Sequence, residues 1–312
     1  MLVARSLSEI TYDANSVVTI GTFDGVHLGH HAIIREVVGR ARQRNGRSVV
    51  ITFEPHPREI VGRGPVKQLA TLEERLSLIE SLDIDAALVL EFTYEFSRQT
   101  SREFYERYVV KGVGVQEVVV GHDHMFGRDR EAGVEALEQL GREYGFTSYT
   151  VSAVSIGGEV VSSSKIREAL HRGDVTLASR YLGRYYSIEG TIVHGDGRGA
   201  QLGFPTANIQ SRPAHKLVPA EGVYLVSVSY GHRQFYGMLN IGVRPTFHSE
   251  LNRTIEVHIF DFNESLVGKQ LTVYFINRLS QEKKFSSKEE LMTQLQSDKE
   301  ECIKFIEMLQ PS

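Results

Sequence analysis

The sequence predicts two folds on one chain: an α/β domain on a parallel sheet over residues 1–183, then an antiparallel β-barrel with a terminal helix over 184–312. Three observations carry this. The length, 312 residues, is about two domains at the usual size of roughly 100–200 residues each. In the first half, short β-rich runs alternate with helix-period segments. In the second half, strand-like runs follow one another with only Gly, Pro and Asn turns between them.

The runs "VVTIGTF" (17–23), "SVVITF" (48–53), "AALVLEF" (86–92), "EVVVG" (117–121) and "SYTVSAV" (148–154) read as strands. They are apolar throughout rather than alternating, as expected of strands covered on both faces. Between them, Ile33, Ile34, Val37, Val38 and Ala41 share one helix face, and Leu72, Leu76 and Ile79 another. Strand, helix, strand in series implies right-handed crossovers and a parallel sheet. The helical stretch "SSSKIREALHRGDVTLASRYLGR" (162–184) closes this half and places the boundary near 183. From Tyr185 onward "YYSIEGTIVHG", "GVYLVSVSYG", "QFYGMLNIG", "TIEVHIFDF" and "QLTVYFINRL" predict an antiparallel barrel or sandwich. One amphipathic helix ends the chain, with Ser286 and Glu289 at capping-box spacing. Leu291, Leu295, Cys302, Ile306 and Leu309 line its face.

A net charge of -4 gives no basic field, so no nucleic-acid partner is expected. "MLVARSLSEI" lacks an apolar signal core, and no apolar run approaches the roughly 18 residues that cross a bilayer. The single cysteine, Cys302, excludes an internal disulfide and a thiolate metal cluster. The expectation is a cytoplasmic protein without a membrane partner; protein partners stay open.

"GTFDGVHLGHH" follows the first strand and opens the first helix, the place where open α/β sheets bind ligands. Gly21, Gly25 and Gly29 allow sharp turns and close backbone approach. The helix start offers unpaired N–H groups to an anion. His27 and His30, three apart, could both donate to one phosphate. A zinc site is disfavoured because "HLGHH" lacks the glutamate of the metalloprotease pattern; incidental loop histidines remain a plain alternative. Neither a P-loop nor a GxGxxG fingerprint is present. Asp24 and Asp123 each follow a strand and could orient ribose, a flavin phosphate or Mg²⁺, or merely form turns.

These residues carry a resemblance. "GTFDGVHLGH" resembles the H-x-G-H signature of the nucleotidyltransferase superfamily in the form found in bacterial FAD synthetases. "TFEPHPR" (52–58), "GHDHMFGRDREAG" (121–133) and "VSSSKIREAL" (161–170) agree with it. The resemblance implies a Rossmann-like nucleotidyltransferase domain whose ATP site includes Gly21, Phe23, Asp24, His27, Gly29 and His30. The two histidines would act on the α-phosphate, while Ser163, Ser164 and Arg167 hold the β and γ phosphates. It implies flavin contacts at His56, Asp123 and Phe126. The family more often has Thr-Arg where this chain has Ser164-Lys165. The serines also read as ordinary helix caps.

A second stretch, "HGDGRGAQLGFPTANI" (194–209), resembles the riboflavin kinase signature, and "EGVYLVSV", "NIGVRPTF", "IEVHIFDF" and "GKQLTVYFINRLSQEKKF" follow in the family's order. By chemistry, Gly195, Gly197 and Gly199 suit a loop over phosphates. Pro205 sets the backbone before Thr206 and Asn208, whose hydroxyl and amide oxygen are hard ligands suited to Mg²⁺. Period-two alternation puts Ile255, Val257 and Ile259 on the core face, leaving Glu256 and His258 on the other. The resemblance implies that Glu256 is the catalytic base and that Gly203 and Arg244 also belong to the ATP and flavin site. Thr206, Asn208 and Glu256 also have plain structural readings as turn or solvated residues. Ser280 stands where the family often has arginine.

Together the two resemblances point to the bifunctional riboflavin kinase/FAD synthetases. They imply Mg²⁺-dependent phosphorylation of riboflavin by ATP to FMN, then adenylylation of FMN to FAD with release of pyrophosphate. A narrower alternative keeps only FMN adenylylation beside a degenerate kinase domain. A distant one is a flavin-sensing module without turnover. Phe53, Phe126, Tyr224 and Phe247 could stack on a flavin or belong to the core.

Overall fold

The computed structural model describes every residue except 63, 65, 123–132, 196–202, 212, 214, 245–251, 284 and 310–312, and gives the backbone alone for 244 and 252. The chain divides into two compact units, Met1–Ser163 and Ser164–Ser312.

The first unit runs β1 (Leu2–Ala4), β2 (Ser16–Ile20), α1 (Leu28–Gln43), β3 (Arg47–Glu54), α2 (Pro57–Ile60), α3 (Leu72–Glu80) and β4 (Ala86–Glu91). There follow α4 (Tyr94–Ser97), α5 (Ser101–Phe104), a π-wound helix over Tyr105–Val113, β5 (Glu117–Gly121), α6 (Val134–Tyr144) and β6 (Thr147–Val151). A small hairpin, β7 (Ser155–Ile156) with β8 (Glu159–Val160), ends it.

The sheet order is β1-β4-β3-β2-β5-β6, and every pairing is parallel. All five expected strands are present within a few residues. β1, read only as an N-terminus, adds a sixth by pairing Leu2–Ala4 with Ala86–Leu88. Both faces of the sheet are covered, which explains the unbroken apolar runs. Val17, Val50 and Val119 face α1 and α3. Val18, Ile51, Leu88 and Val120 face the opposite layer of α4, the π-wound helix and α6. Phe53 is 2% exposed among Phe92, Phe96 and Phe104 in that layer, so it is a core residue, not a flavin platform.

Direction reverses beside β2, whose neighbours are β3 on one side and β5 on the other. The carboxyl end of β2 therefore opens onto the crevice where doubly wound sheets hold ligands.

The second unit begins with α7 (Ser163–Arg172, its first residue in the preceding unit) and α8 (Val175–Leu182). Six strands follow: β9 (Tyr186–Val193), β10 (Ala207–Ser211), β11 (Gly222–Tyr230), β12 (Arg233–Arg244), β13 (Asn252–Ile259) and β14 (Gln270–Ser280), then α9 (Lys288–Leu309). They close into a barrel, β10-β13-β12-β11-β14-β9, antiparallel throughout. Closure leaves no strand edge unpaired. β10 was not expected: Pro and Asn in "FPTANI" disguise a strand of five residues. Tyr224, 0% exposed and edge-on to Phe275 at 5.3 Å, fills the barrel interior and is likewise not a stacking surface.

α9 lies on the barrel's outer face through Leu295, Cys302, Phe305 and Ile306, against Phe204, Leu225 and Met238. Its cap sits one residue later than expected: Glu290 N donates to Ser287 Oγ at 3.1 Å, while Ser286 N donates to Glu290 Oε2 at 2.9 Å. Leu309, expected on the packed face, is exposed.

Candidate active sites

In the first unit, the chain leaves β2 and turns through Gly21–His27 into α1. Gly21 N donates to Ile51 O at 3.1 Å, fastening the turn to β3. Phe23 (φ 49°) and Val26 (φ 38°) are non-glycine residues in the left-handed region. Such residues cost about 1–3 kcal/mol each and persist only where their surroundings over-determine them. Here they do. Asp24 is 2% exposed, and its Oδ1 accepts from Leu69 N at 2.9 Å and Ala70 N at 3.1 Å. Ser163 Oγ donates to Asp24 O at 3.0 Å.

His27 caps α1: its Nδ1 accepts from His30 N at 3.4 Å. A neutral ring that accepts at Nδ1 carries its proton on Nε2, the donor an anion needs. The His27 and His30 rings stack with centroids 3.7 Å apart and 16° between planes, and Phe23 meets His30 edge-on at 5.1 Å. A Cβ at Gly29 would come within 3.1–3.2 Å of the His27 ring.

The fold thus assembles Gly21, Phe23, Asp24, His27, Gly29, His30 and Ser163 around one turn. The Asp24 carboxylate is occupied with backbone amides. Ser164 and Arg167 continue along α7. His56, 5% exposed, caps the short α2 by accepting from Arg58 N at 3.1 Å. Asp123 and Phe126 lie outside the described residues.

Sequence reasoning missed Arg75. It is 2% exposed on α3; Nη1 donates to Thr22 O at 2.8 Å, and Nη2 to Phe53 O at 3.1 Å and Glu54 Oε2 at 2.8 Å. Burial pushes its pKa down, against the upward pull of Glu54 and Asp24. The Glu54 side chain is 28% exposed, so the pair is buried on the arginine side alone. The available signal was a charge three residues after Leu72 on an otherwise apolar face.

In the second unit, Asn208 on β10 and Asn240 on β12 stand opposite Glu256 from its two sides. Directly opposed residues share a face, so the three form a polar row on the barrel's outer surface. Thr206 Oγ1 donates to Glu256 Oε2 at 3.5 Å, a long contact. Ile255, Val257 and Ile259 are buried at 6%, 0% and 7% on the opposite face, as the alternation predicts. His258 Nδ1 lies 2.8 Å from Pro205 O, with Phe204 and Phe260 edge-on at 5.3 and 5.6 Å. It therefore steadies the segment leading to Thr206.

A Cβ at Gly195 would fall 1.9 Å from Asn208 Nδ2, so the glycine leaves room for the Asn208 side chain where it stands. Gly203 directly precedes Phe204 and Pro205. Gly197 and Gly199 lie outside the described residues, as does the side chain of Arg244. Ser280 ends β14 opposite Val223. Asn240 was not singled out because nothing local marks one asparagine on a strand; its meaning comes from its cross-strand partner.

Two family models divide the chain: FAD synthetase matches residues 9–165 and riboflavin kinase residues 182–306. A bifunctional riboflavin kinase/FMN adenylyltransferase from Pseudomonas fluorescens is 39% identical over 282 residues, covering 90% of each chain. The one from Bacillus subtilis (strain 168) is 35% identical over 301 residues, covering 95% of this chain and 94% of its own. The chain belongs to the bifunctional riboflavin kinase/FMN adenylyltransferase family. A solved structure from Streptococcus pneumoniae, described as a macrolide-efflux protein, superposes with a TM-score of 0.87 at 30% identity, covering 96% of this chain and 97% of its own. That likeness supports the fold along the whole length. Efflux is said of that protein alone; among the described residues here no helix is long and apolar enough to cross a membrane. The two matched regions are separate, and each contains one of the assembled sites.

Proposed function

We propose that the barrel unit phosphorylates riboflavin to FMN with ATP, and that the α/β unit adenylylates FMN to FAD with a second ATP, releasing pyrophosphate. The observation that carries this is the presence of two chemically different sites on one chain, each inside its own matched region. One is a stacked histidine pair at a helix start; the other is a carboxylate flanked by hydroxyl and amide groups on barrel strands.

The difference suits the two nucleophiles. Riboflavin presents a primary alcohol, which needs a base to accept its proton as it attacks the γ-phosphate. Glu256 is assigned that role, and positioned bases contribute about 10²–10⁴-fold. FMN presents a phosphate that is already ionised, so no base is needed. Alignment and stabilisation of charge at the α-phosphate suffice, supplied by His27, His30 and the N–H groups at the start of α1. On the resemblance, Ser163, Ser164 and Arg167 hold the outer phosphates, and His56, Asp123 and Phe126 meet the flavin.

The kinase site also fits Mg²⁺. Thr206 and Asn208 offer hard oxygen donors beside the Glu256 carboxylate. Bound there with nucleotide, the ion would offset phosphate charge. We place the protein in the cytoplasm, without a nucleic-acid partner on a net charge of -4 and without a membrane partner, no helix among the described residues being long and apolar enough to cross a bilayer.

The test incubates the protein with Mg²⁺-ATP and riboflavin, or with FMN, and separates the flavins by chromatography. Riboflavin is expected to give FMN and then FAD, and FMN to give FAD and pyrophosphate. FAD from FMN without any FMN from riboflavin would leave only the narrower adenylyltransferase. Glu256→Gln should cost the first reaction about 10²–10⁴-fold and spare the second.

A further inference from the structure

We propose that Arg75 is a positioning residue for adenylyl transfer, holding the turn that aims His27 and His30. The inference rests on the adenylyltransferase reading of this site and deepens it.

One strap, from Leu69 to Arg75, clamps the turn on both sides of Phe23. Before Phe23, Arg75 Nη1 donates to Thr22 O at 2.8 Å, an oxygen that also receives Thr52 Oγ1 at 3.3 Å. After it, Asp24 Oδ1 takes the amides of Leu69 and Ala70 at 2.9 and 3.1 Å. Between these grips the backbone of Phe23 is left-handed, with φ of 49°, and the Phe23 ring abuts His30 at 5.1 Å.

The same guanidinium holds Phe53 O and the Glu54 carboxylate at the carboxyl end of β3. The turn after β2 and the carboxyl end of β3 are thus locked together by one planar fork. Three acceptors in separate directions suit arginine; an ammonium would reach fewer of them. A structural residue could have been apolar, as Leu72 and Ile79 are on the same helix. A guanidinium at 2% exposure is placed instead where its shorter bond, 2.8 Å against 3.3 Å from Thr52 Oγ1, ties Thr22 to the end of β3. Because a displacement of about 1 Å can cost roughly 100-fold in rate, releasing that tie should act on turnover rather than on substrate binding.

The experiment uses the full chain as wild type, Arg75→Met and Arg75→Lys. It measures kcat and KM for FAD formation from FMN, riboflavin phosphorylation in the same samples, and the folded fraction by thermal melting. Arg75→Met is expected to lower adenylylation kcat about 100-fold per folded chain. KM for FMN and ATP should stay within about threefold and kinase rate within about twofold, with Arg75→Lys recovering at least about tenfold. The proposal is overturned if Arg75→Met keeps its kcat per folded chain within about threefold, if the loss appears in KM alone, or if kinase rate falls equally. If Arg75→Met does not fold, Arg75→Gln is judged by the same thresholds. A wild type that makes no FAD would sink the parent reading, and the failure would be seen before any variant is compared.

Discussion

At Gly195 a hydrogen stands where any side chain would strike Asn208: an added Cβ would lie 1.9 Å from Nδ2. The Asn208 side chain would have to swing aside to admit it, so Gly195→Ala is expected to lower riboflavin phosphorylation about 100-fold. FAD formation from FMN should be unaffected, and parallel assays of the two reactions check both halves. Gly29 offers a graded comparison. Its added Cβ would meet the His27 ring at 3.1–3.2 Å, a crowding that a shift of a few tenths of an ångström relieves. Gly29→Ala should therefore cost adenylylation only about tenfold and spare the kinase; equal losses in both reactions would contradict the separate sites. At this scale the sequence showed the residues whose chemistry is plain from their type and spacing: His27 with His30, and Thr206 with Asn208. Arg75 and Asn240 stayed hidden because their significance lies in partners far along the chain, Thr22 for one and Glu256 for the other.

α9 carries a buried acid on the face that packs against the barrel. Asp298 is 3% exposed, and desolvation raises its pKa from the ordinary 3.8, only partly countered by the hydrogen bond from Gln294 and by Lys283. A carboxyl whose pKa is raised on folding favours the folded state most when protonated. Its contribution is fully present below 3.8 and is lost as pH rises through the higher folded value. Asp298→Asn keeps an oxygen that can accept from Gln294 Nε2, now at 2.7 Å, and carries no charge. The variant should melt above wild type at neutral pH, with the difference vanishing as the pH falls below the ordinary aspartate range. Parallel melting curves across that range would show that Asp298 does not titrate against the fold. The amphipathic stripe of this helix was legible from its period, but the buried Asp298 within it was not, since periodicity carries no information about a single polar exception. β10 was obscured for a related reason. Its five residues include one β-branched side chain, Ile209, so only pairing with β9 and β13 reveals it.

On the scale of the whole molecule, the sequence periods place a boundary near 183, whereas the compact units divide between Ser163 and Ser164. The helical pair α7–α8 closes the α/β pattern, yet within the second unit it is fastened to the barrel. Arg278 Nη1 donates to Arg172 O at 2.9 Å, Arg278 also donates to Glu221 O, and Ala220 N donates to Leu170 O at 2.9 Å. α8 packs along β14 and β9, with Tyr181 and Leu182 at 3% and 0% exposure. A pattern of periods cannot show this, because the same helix faces would serve either neighbour. The consequence is measurable in two fragments, residues 164–312 and residues 184–312. The shorter one loses the hydrogen bonds of Arg278 Nη1 and Ala220 N, about 0.5–1.5 kcal/mol each once water takes the acceptor's place. It also loses Tyr181 and Leu182, which contribute about 1.5–3 kcal/mol each when buried. At roughly 2–4 °C per kcal/mol for a domain of this size, the shorter fragment should melt on the order of 10 °C or more below the longer one, provided it folds at all. Riboflavin phosphorylation at low temperature should survive in the longer fragment, whose polar row of Asn208, Glu256 and Asn240 is untouched by the cut. Equal melting temperatures would mean that the barrel is complete without the helices, and that the Arg278 contacts only tether a linker.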